Sequence, residues 1–289
     1  MELWFIYALG AAVFATLVTV LGKVGVKDVD SALATAIRTG VVIVFAWGIV
    51  FAMGSQGGIG DISPRTWVFL VLSGLATGGT WLCYFHALKL GNVNKVVPIG
   101  KSSTILTMLL AFIILREPIG VTMAIGMVLM AFGTWLMLEY KKEDTGAKGR
   151  RGWLFFAVLS AVFGSLVSIF GRIGVVDMDP NLWTALRTIV VLPLSWVMVF
   201  VNGKQVTMKG ISPKSWVFLV LSGLATGGSW LFFYQALKIG NASLVVPIDK
   251  LSIVITMGCA YFIFGEKFSK RSVIGLVFLT VGTLLPTVL

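Results

Sequence analysis

Charge is scarce in this chain. Only 12% of its 289 residues are Asp, Glu, Lys or Arg, where a soluble domain carries roughly 25%, so a water-exposed fold of this length is excluded. Histidine occurs once, at His86, and cysteine twice, at Cys83 and Cys259. That leaves no metal-ligand cluster, and neither paired carboxylates nor a nucleophile with a histidine base is present. A membrane-embedded enzyme therefore has little to build from, and no catalytic residue, metal or cofactor is expected. Both cysteines lie in apolar runs at non-corresponding positions, which predicts buried free thiols. Basic and aromatic residues form no surface module of the kind that binds nucleic acid, despite a net charge of +11.

What is present in quantity is apolar sequence, 57% of the chain, with a mean hydropathy of +0.97. Runs of about twenty apolar residues recur from end to end, each long enough to cross a hydrocarbon core of roughly 30 Å as a helix. They are continuously apolar, without the alternation a membrane barrel needs. Ten spans are read: 3–21, 32–53, 66–88, 94–115 and 119–138, then 153–171, 181–201, 215–237, 243–264 and 271–288. The fold expected is an all-α integral membrane protein. Nothing basic precedes Leu3, and the first span has a counterpart in the second half, so it is expected to be retained rather than cleaved as a leader.

The stretch WVFLVLSGLATGG at Trp67 returns letter for letter at Trp216. Between Ser63–Lys101 and Ser212–Lys250 roughly two thirds of positions are identical, which marks a duplication. GKVGV at Gly22 answers GRIGV at Gly171, and TAIRT at Thr35 answers TALRT at Thr184. The unit is five helices: a first repeat over 1–140, a basic linker over 141–152 and a second repeat over 153–289. An odd number of spans makes the second copy run inverted. Fifteen basic residues, from Lys23 to Arg271, gather on one side, against only Arg65, Arg116, Arg172 and Lys238 on the other. By the positive-inside rule the first side, with the linker, is cytoplasmic and both termini are outside. The net charge is thereby accounted for as topology.

Gly74 and Gly78, like Gly223 and Gly227, stand four apart on one helix face. Such pairs allow close helix packing or leave room for a cavity, with Ser73, Thr77, Ser222 and Thr226 adding hydroxyls nearby. Pro98 and Pro247 fall in the matching stretches NKVVPIGKSST and SLVVPIDKLSI, where a proline kinks or interrupts a helix. In lipid, carbonyls freed that way need partners or a wet cavity. Each proline is followed three residues later by a lysine, Lys101 or Lys250. With Arg38 and Arg187 these are the cations within spans, each costing roughly 2.5 to 3.5 kcal/mol near a helix centre on insertion scales. They are candidates for an electropositive site for carboxylate or phosphate, or for bonding to carbonyls at the kinks.

Asp249 stands where the first half has Gly100. It is expected to pair with a residue on another helix, Arg187 being the choice, because Lys250 as its neighbour points elsewhere. As the one acid within a span it is also the candidate for proton coupling or for a substrate amine. His86, matched by Gln235, reads as a proton switch or as a packed residue. Trp81 and Trp230, beside Tyr84, Phe85, Phe233 and Tyr234, are cavity walls or interfacial belts. Gly126 and Gly133, matched by Gly275 and Gly282, mark a small-residue seam between the fifth and tenth helices.

These motifs, in this order and repeated in both halves, resemble the drug/metabolite transporter superfamily, in its ten-helix branch of two EamA-like domains. The residues carrying the resemblance are Gly22-Lys23, RTG and RTI, the paired VVPI, LREP and FGEK, and the terminal glycine pairs. At Arg116-Glu117 the first half departs from the usual Gly-Glu. The resemblance implies a secondary transporter whose helices one to four and six to nine surround the path, with five and ten behind. Members move amino acids, sugar phosphates, nucleotide sugars, drugs and other metabolites, so the fold does not choose the substrate. The cation excess favours a small anion or zwitterion such as an amino acid or organic acid. Its rivals are export of cationic or amphipathic drugs and flipping of a lipid-linked phosphate. The expected setting is a bacterial or archaeal plasma membrane, as a monomer or weak dimer, with lipids and protons as further partners.

Overall fold

A computed structural model describes residues 2–25, 29–90, 96, 99–100, 102–137, 152–265 and 268–288. Among them the chain is helical throughout: α1 (Leu3–Gly25), α2 (Ser31–Met53), α3 (Pro64–Leu90), α4 (Ser103–Leu115), α5 (Val121–Leu136), α6 (Trp153–Val175), α7 (Pro180–Val201), α8 (Pro213–Ile239), α9 (Ala242–Asp249), α10 (Ser252–Phe264) and α11 (Lys270–Val288). Seven stretches of these are long and apolar enough to cross a membrane, the broken pair α9 and α10 counting as one. Large apolar side chains such as Val44, Val121 and Phe262 stand well exposed on the outside, as expected where lipid replaces water.

The duplicated sequence builds its helix ends twice. Asp30 Oδ1 accepts from the amides of Ala32 and Leu33 at 3.0 and 3.4 Å, and Asp179 Oδ1 does the same for Asn181 and Leu182 at 3.0 Å each. Ser63 and Ser212 cap α3 and α8 through the amides of Thr66 and Ser215. Each is followed by a proline, whose missing donor costs nothing in the first turn. Helices end in the left-handed region at Gly54, Gly203 and Gly265, but at Arg116 (φ 56°) on the first-half counterpart of Gly265. A side chain in that conformation costs about 1 to 2 kcal/mol.

Packing is reciprocal between the halves. α1 lies on α8 and α3 on α6, while α2 faces α7 and α5 faces α11. Corresponding bonds knit the first two pairs: Ser73 Oγ donates to the carbonyl of Val167 at 3.2 Å, and Ser222 Oγ to that of Val18 at 3.1 Å. The repeated glycines set the spacing. A methyl added at Gly74 would sit 2.7 Å from Val190 on α7, and one at Gly223 would sit 2.6 Å from Val41 on α2. Gly78 and Gly227 make the same approach to Leu194 and Phe45.

The seam expected between the last helices of the two halves is present and made of backbone. A Cβ at Gly126 would lie 2.5 Å from the carbonyl of Gly282, and one at Gly133 would lie 2.6 Å from that of Gly275. Ascending positions on α5 meet descending ones on α11, so the two helices run antiparallel.

Candidate functional site

A cavity of about 440 Å³ sits where α1, α2, α3, α6, α7 and α8 converge on the break between α9 and α10. α9 ends at Asp249, two residues beyond Pro247, and α10 starts at Ser252. The interruption places Asp249 and Lys250 on the cavity wall. Arg38, Arg187, Trp81 and Trp230 line the same space, with Phe233 and the hydroxyls of Thr77, Thr80 and Thr226. Residues from both halves, far apart in sequence, thus meet around one volume.

The corresponding arginines are held differently. Arg187 is 2% exposed. Its Nε donates to Ser73 Oγ at 3.1 Å and its Nη2 to Thr77 Oγ1, both on α3. The guanidinium carbon lies 4.9 Å from the Trp230 ring centre and 5.3 Å from that of Tyr234, close enough for the ring faces to attract its charge. Nη1 has no partner among the described residues. Among the described residues Arg38, half-buried, bonds only within its own helix, Nη2 to Thr35 Oγ1 at 3.3 Å, and its buried Nε is unpartnered. An unmatched buried N–H of this kind costs about 1 to 3 kcal/mol unless something accepts from it. Both free donors belong to side chains on the cavity wall.

Asp249 does not pair with Arg187. Its Oδ2 accepts from Lys250 Nζ at 2.9 Å. The angular separation of adjacent residues on a helix was the ground for expecting them apart, but the flexible four-carbon stem of lysine curls back across it. The carboxylate side chain is the less exposed of the pair, 14% against 37%.

Other expected residues lie off the cavity. Tyr234 is fully buried behind Arg187, its ring tilted against that of Trp183 at 5.9 Å between ring centres. Tyr84 packs with Ala87, Val96 and Ala157. His86 sits against the Phe156 ring at 4.3 Å and lines no part of the central cavity. Gly74, Gly78, Gly223 and Gly227 serve helix approach, as their contacts show. Pro98 and Lys101 lie outside the described residues. The hydroxyls of Ser73 and Thr77 carry more than their small size suggested; their spacing of four on the duplicated helix, opposite an intramembrane arginine, was the available signal.

Glu117 is buried near the start of α9, where its two oxygens accept from the amides of Ala242 and Ser243 at 2.8 and 2.9 Å. A carboxylate of the first half thus caps a helix of the second. Its negative charge also suits the positive end of that helix. Glu117→Ala is expected to lower stability by about 1 to 2 kcal/mol, with Glu117→Gln losing less because it keeps one acceptor. Thermal midpoints in detergent check this. A wild-type midpoint for the alanine variant would show that the cap contributes nothing.

Comparison with known proteins adds identity to this geometry. The model of the EamA-like transporter family matches twice, over residues 2–139 and 151–288. An uncharacterized transporter from a Sinorhizobium species is 39% identical over 135 residues, which are 47% of this chain and 96% of that protein. That relative is therefore about the size of one half. A protein of Rickettsia prowazekii (strain Madrid E) named S-adenosylmethionine uptake transporter is 25% identical over 217 residues, covering 74% of this chain and 69% of its own. One crystal structure superposes with a TM-score of 0.81 over 98% of this chain and 96% of its own, at 17% identity, a likeness of fold. Matched by the family model across both halves, this multi-pass membrane protein belongs to the EamA-like transporter family.

Proposed function

We propose that the protein is a secondary transporter of ten spans in two inverted five-helix repeats, moving a small solute that bears a carboxylate, such as an amino acid or organic acid. The observation that carries this reading is the charge on the central cavity. Three cations, Arg38, Arg187 and Lys250, face one acid, Asp249, whose charge is already taken by Lys250. Two guanidinium groups are left without a counter-ion among the described residues, each with a free N–H. A carboxylate accepts charge-assisted bonds from such donors, and Trp81, Trp230 and Phe233 supply apolar wall for the rest of a small organic molecule.

Asp249 is the group that would exchange a proton or receive a substrate amine, releasing Lys250 when it does. S-adenosylmethionine, which the Rickettsia relative's name specifies, carries an amino-acid end and falls within the proposed class. Reciprocal packing and antiparallel α5 and α11 support inverted halves. Rocking of one against the other would then expose the cavity to each side in turn. The loop charges support a cytoplasmic linker and outside termini in a bacterial or archaeal plasma membrane.

A second reading, movement of a lipid-linked phosphate, is favoured by a side pocket of about 290 Å³ that shares Ser103 and Lys250 with the central cavity and reaches α5 and α11. One screen separates the readings. Thermal midpoints of the detergent-purified protein are measured with amino acids, organic acids, sugar phosphates, hydrophobic cations and lipid phosphates. A ligand stabilises the state it binds, so carboxylate-bearing compounds are expected to raise the midpoint in wild type and to do so far less in Arg38→Gln. A response to cations or lipid phosphates alone would overturn the first reading.

A further inference from the structure

The side with little positive charge puts most of it in one place. Of its four basic residues, Arg65, Arg116 and Arg172 line a single cavity of about 570 Å³, with Glu117, Asp177 and Asn241. They come from the start of α3, the corner between α4 and α5, and the last turn of α6. The fourth, Lys238, is tied down beside them, its Nζ donating to the carbonyl of Met178 at 3.0 Å. The pocket lies where α3 and α7 begin. Arg187 is seven residues into α7, about 10 Å further along the helix. The pocket is therefore separate from the central cavity, and Arg187 with its α3 hydroxyls lies between them.

The pocket's own acids do not neutralise it. Glu117 spends both oxygens on the α9 amides while its charge still reaches Arg172, so Glu117 and Asp177 stand against three guanidinium groups and one positive charge is left over. Arg172 uses Nη1 on the carbonyls of Leu237 and Lys238 at 2.8 and 2.9 Å and has its remaining donors to offer. Among the described residues Arg65 meets only the face of Phe69, 5.9 Å away, and Arg116 makes no ion pair. Arg116 is also the position where the first half holds a side chain in a left-handed conformation that its counterpart Gly265 adopts without strain. A strained residue points to a role for what it carries, and here it carries a guanidinium into a concave cluster of two others.

We propose that this pocket is a second, peripheral anion site, binding a carboxylate or phosphate group through Arg65, Arg116 and the free donors of Arg172. It stands apart from whatever the central cavity carries. The anion is either a soluble solute, held beyond Arg187 on the face where that arginine is sealed, or the headgroup of an anionic lipid.

The test titrates inorganic phosphate, which carries no carboxylate for the central cavity, into the detergent-purified full chain, at constant ionic strength with chloride as the balancing anion, and reads the thermal midpoint. A second arm compares nanodiscs of phosphatidylglycerol with nanodiscs of phosphatidylcholine. Arg116→Gly is the decisive variant, because glycine relieves the left-handed residue and should fold at least as well as wild type. Arg65→Gln is its companion and Arg38→Gln the control for the central cavity. The expected result is an anion response kept in Arg38→Gln and weakened about tenfold or more in apparent affinity by Arg116→Gly and Arg65→Gln. A response to phosphate identifies a soluble anion, and one confined to phosphatidylglycerol identifies the headgroup. Either upholds the site. It is overturned if neither arm responds, if Arg116→Gly responds as wild type does, or if the response is lost only in Arg38→Gln, which would assign the anion to the central cavity.

Discussion

Arg187→Gln is expected to reduce solute flux about a hundredfold while leaving the protein folded. The guanidinium joins α7 to α3 through Ser73 and Thr77 and lies against Trp230 and Tyr234, all in a place solvent barely reaches. Hydrogen bonds involving a charged group are worth about 1.5 to 3 kcal/mol, and a substrate carboxylate would lose the one that Nη1 is free to give. Glutamine keeps a donor for one hydroxyl, so the helices remain joined, but it has neither the charge nor the fork. Arg187→Lys is expected to fail nearly as badly, since an ammonium cannot reproduce the planar array that serves Ser73, Thr77 and a carboxylate at once. Initial rates in proteoliposomes, normalised to incorporated protein, check this. Wild-type rates in Arg187→Gln would reduce the residue to a structural bolt.

The second large effect falls on folding. Gly133→Leu is expected to destabilise the protein by at least about 3 kcal/mol, because a Cβ there would lie 2.6 Å from both the carbonyl of Gly275 and the amide of Leu279. Both obstacles are backbone of the opposing helix, so no rotamer change relieves them and α5 must leave α11. Gly48→Ala provides the contrast. Nothing lies within 4 Å of a methyl at that position, and alanine favours a helix over glycine by about 0.5 to 1 kcal/mol. Thermal unfolding should therefore lower the midpoint strongly for the first variant and leave or raise it for the second. Equal midpoints would mean that the seam tolerates separation.

The two halves share letters more closely than they share conformation, and that marks the limit of what the sequence makes legible. The glycine seam could be read because close approach demands glycine wherever backbones touch, and heptad spacing names the face. The exact repeat of Trp67 to Gly79 likewise announced matching helices, and the α1–α8 and α3–α6 pairs carry matching bonds. The different settings of Arg38 and Arg187 could not be read. Both belong to the same motif, and among the described residues α3 gives Arg187 two hydroxyl partners where Arg38 bonds within its own helix. The Asp249–Lys250 pair was missed because helical geometry fixes where Cβ points and says little about where a lysine ends. Tyr84 and His86 follow Trp81 on α3 but lie beyond the cavity, a matter of depth that spacing does not give. Glu117 hid for another reason: its partners are amides on a helix more than a hundred residues away.

Arg38 and Arg187 together suggest how the cavity would change sides. Ser222 and Thr226 on α8 stand to Arg38 as Ser73 and Thr77 stand to Arg187. A methyl at Gly22 would lie 3.7 Å from both Arg38 Nη1 and Ser222 Oγ, so the two groups border the same small gap. Closure on α8 would seal Arg38 as Arg187 is sealed now, and release of Arg187 would open the opposite end.

The most direct test of the central claim is solute exchange. Protein reconstituted in liposomes is preloaded with an unlabelled carboxylate-bearing compound chosen from those that raise the thermal midpoint, and uptake of the same compound in labelled form is followed in wild type and Arg38→Gln. Rapid exchange in wild type and a loss of about tenfold or more in the variant is the outcome predicted for a substrate carried between the two arginines. Absence of exchange for every such compound while a hydrophobic cation or a lipid phosphate moves, or equal exchange in the variant, would contradict it.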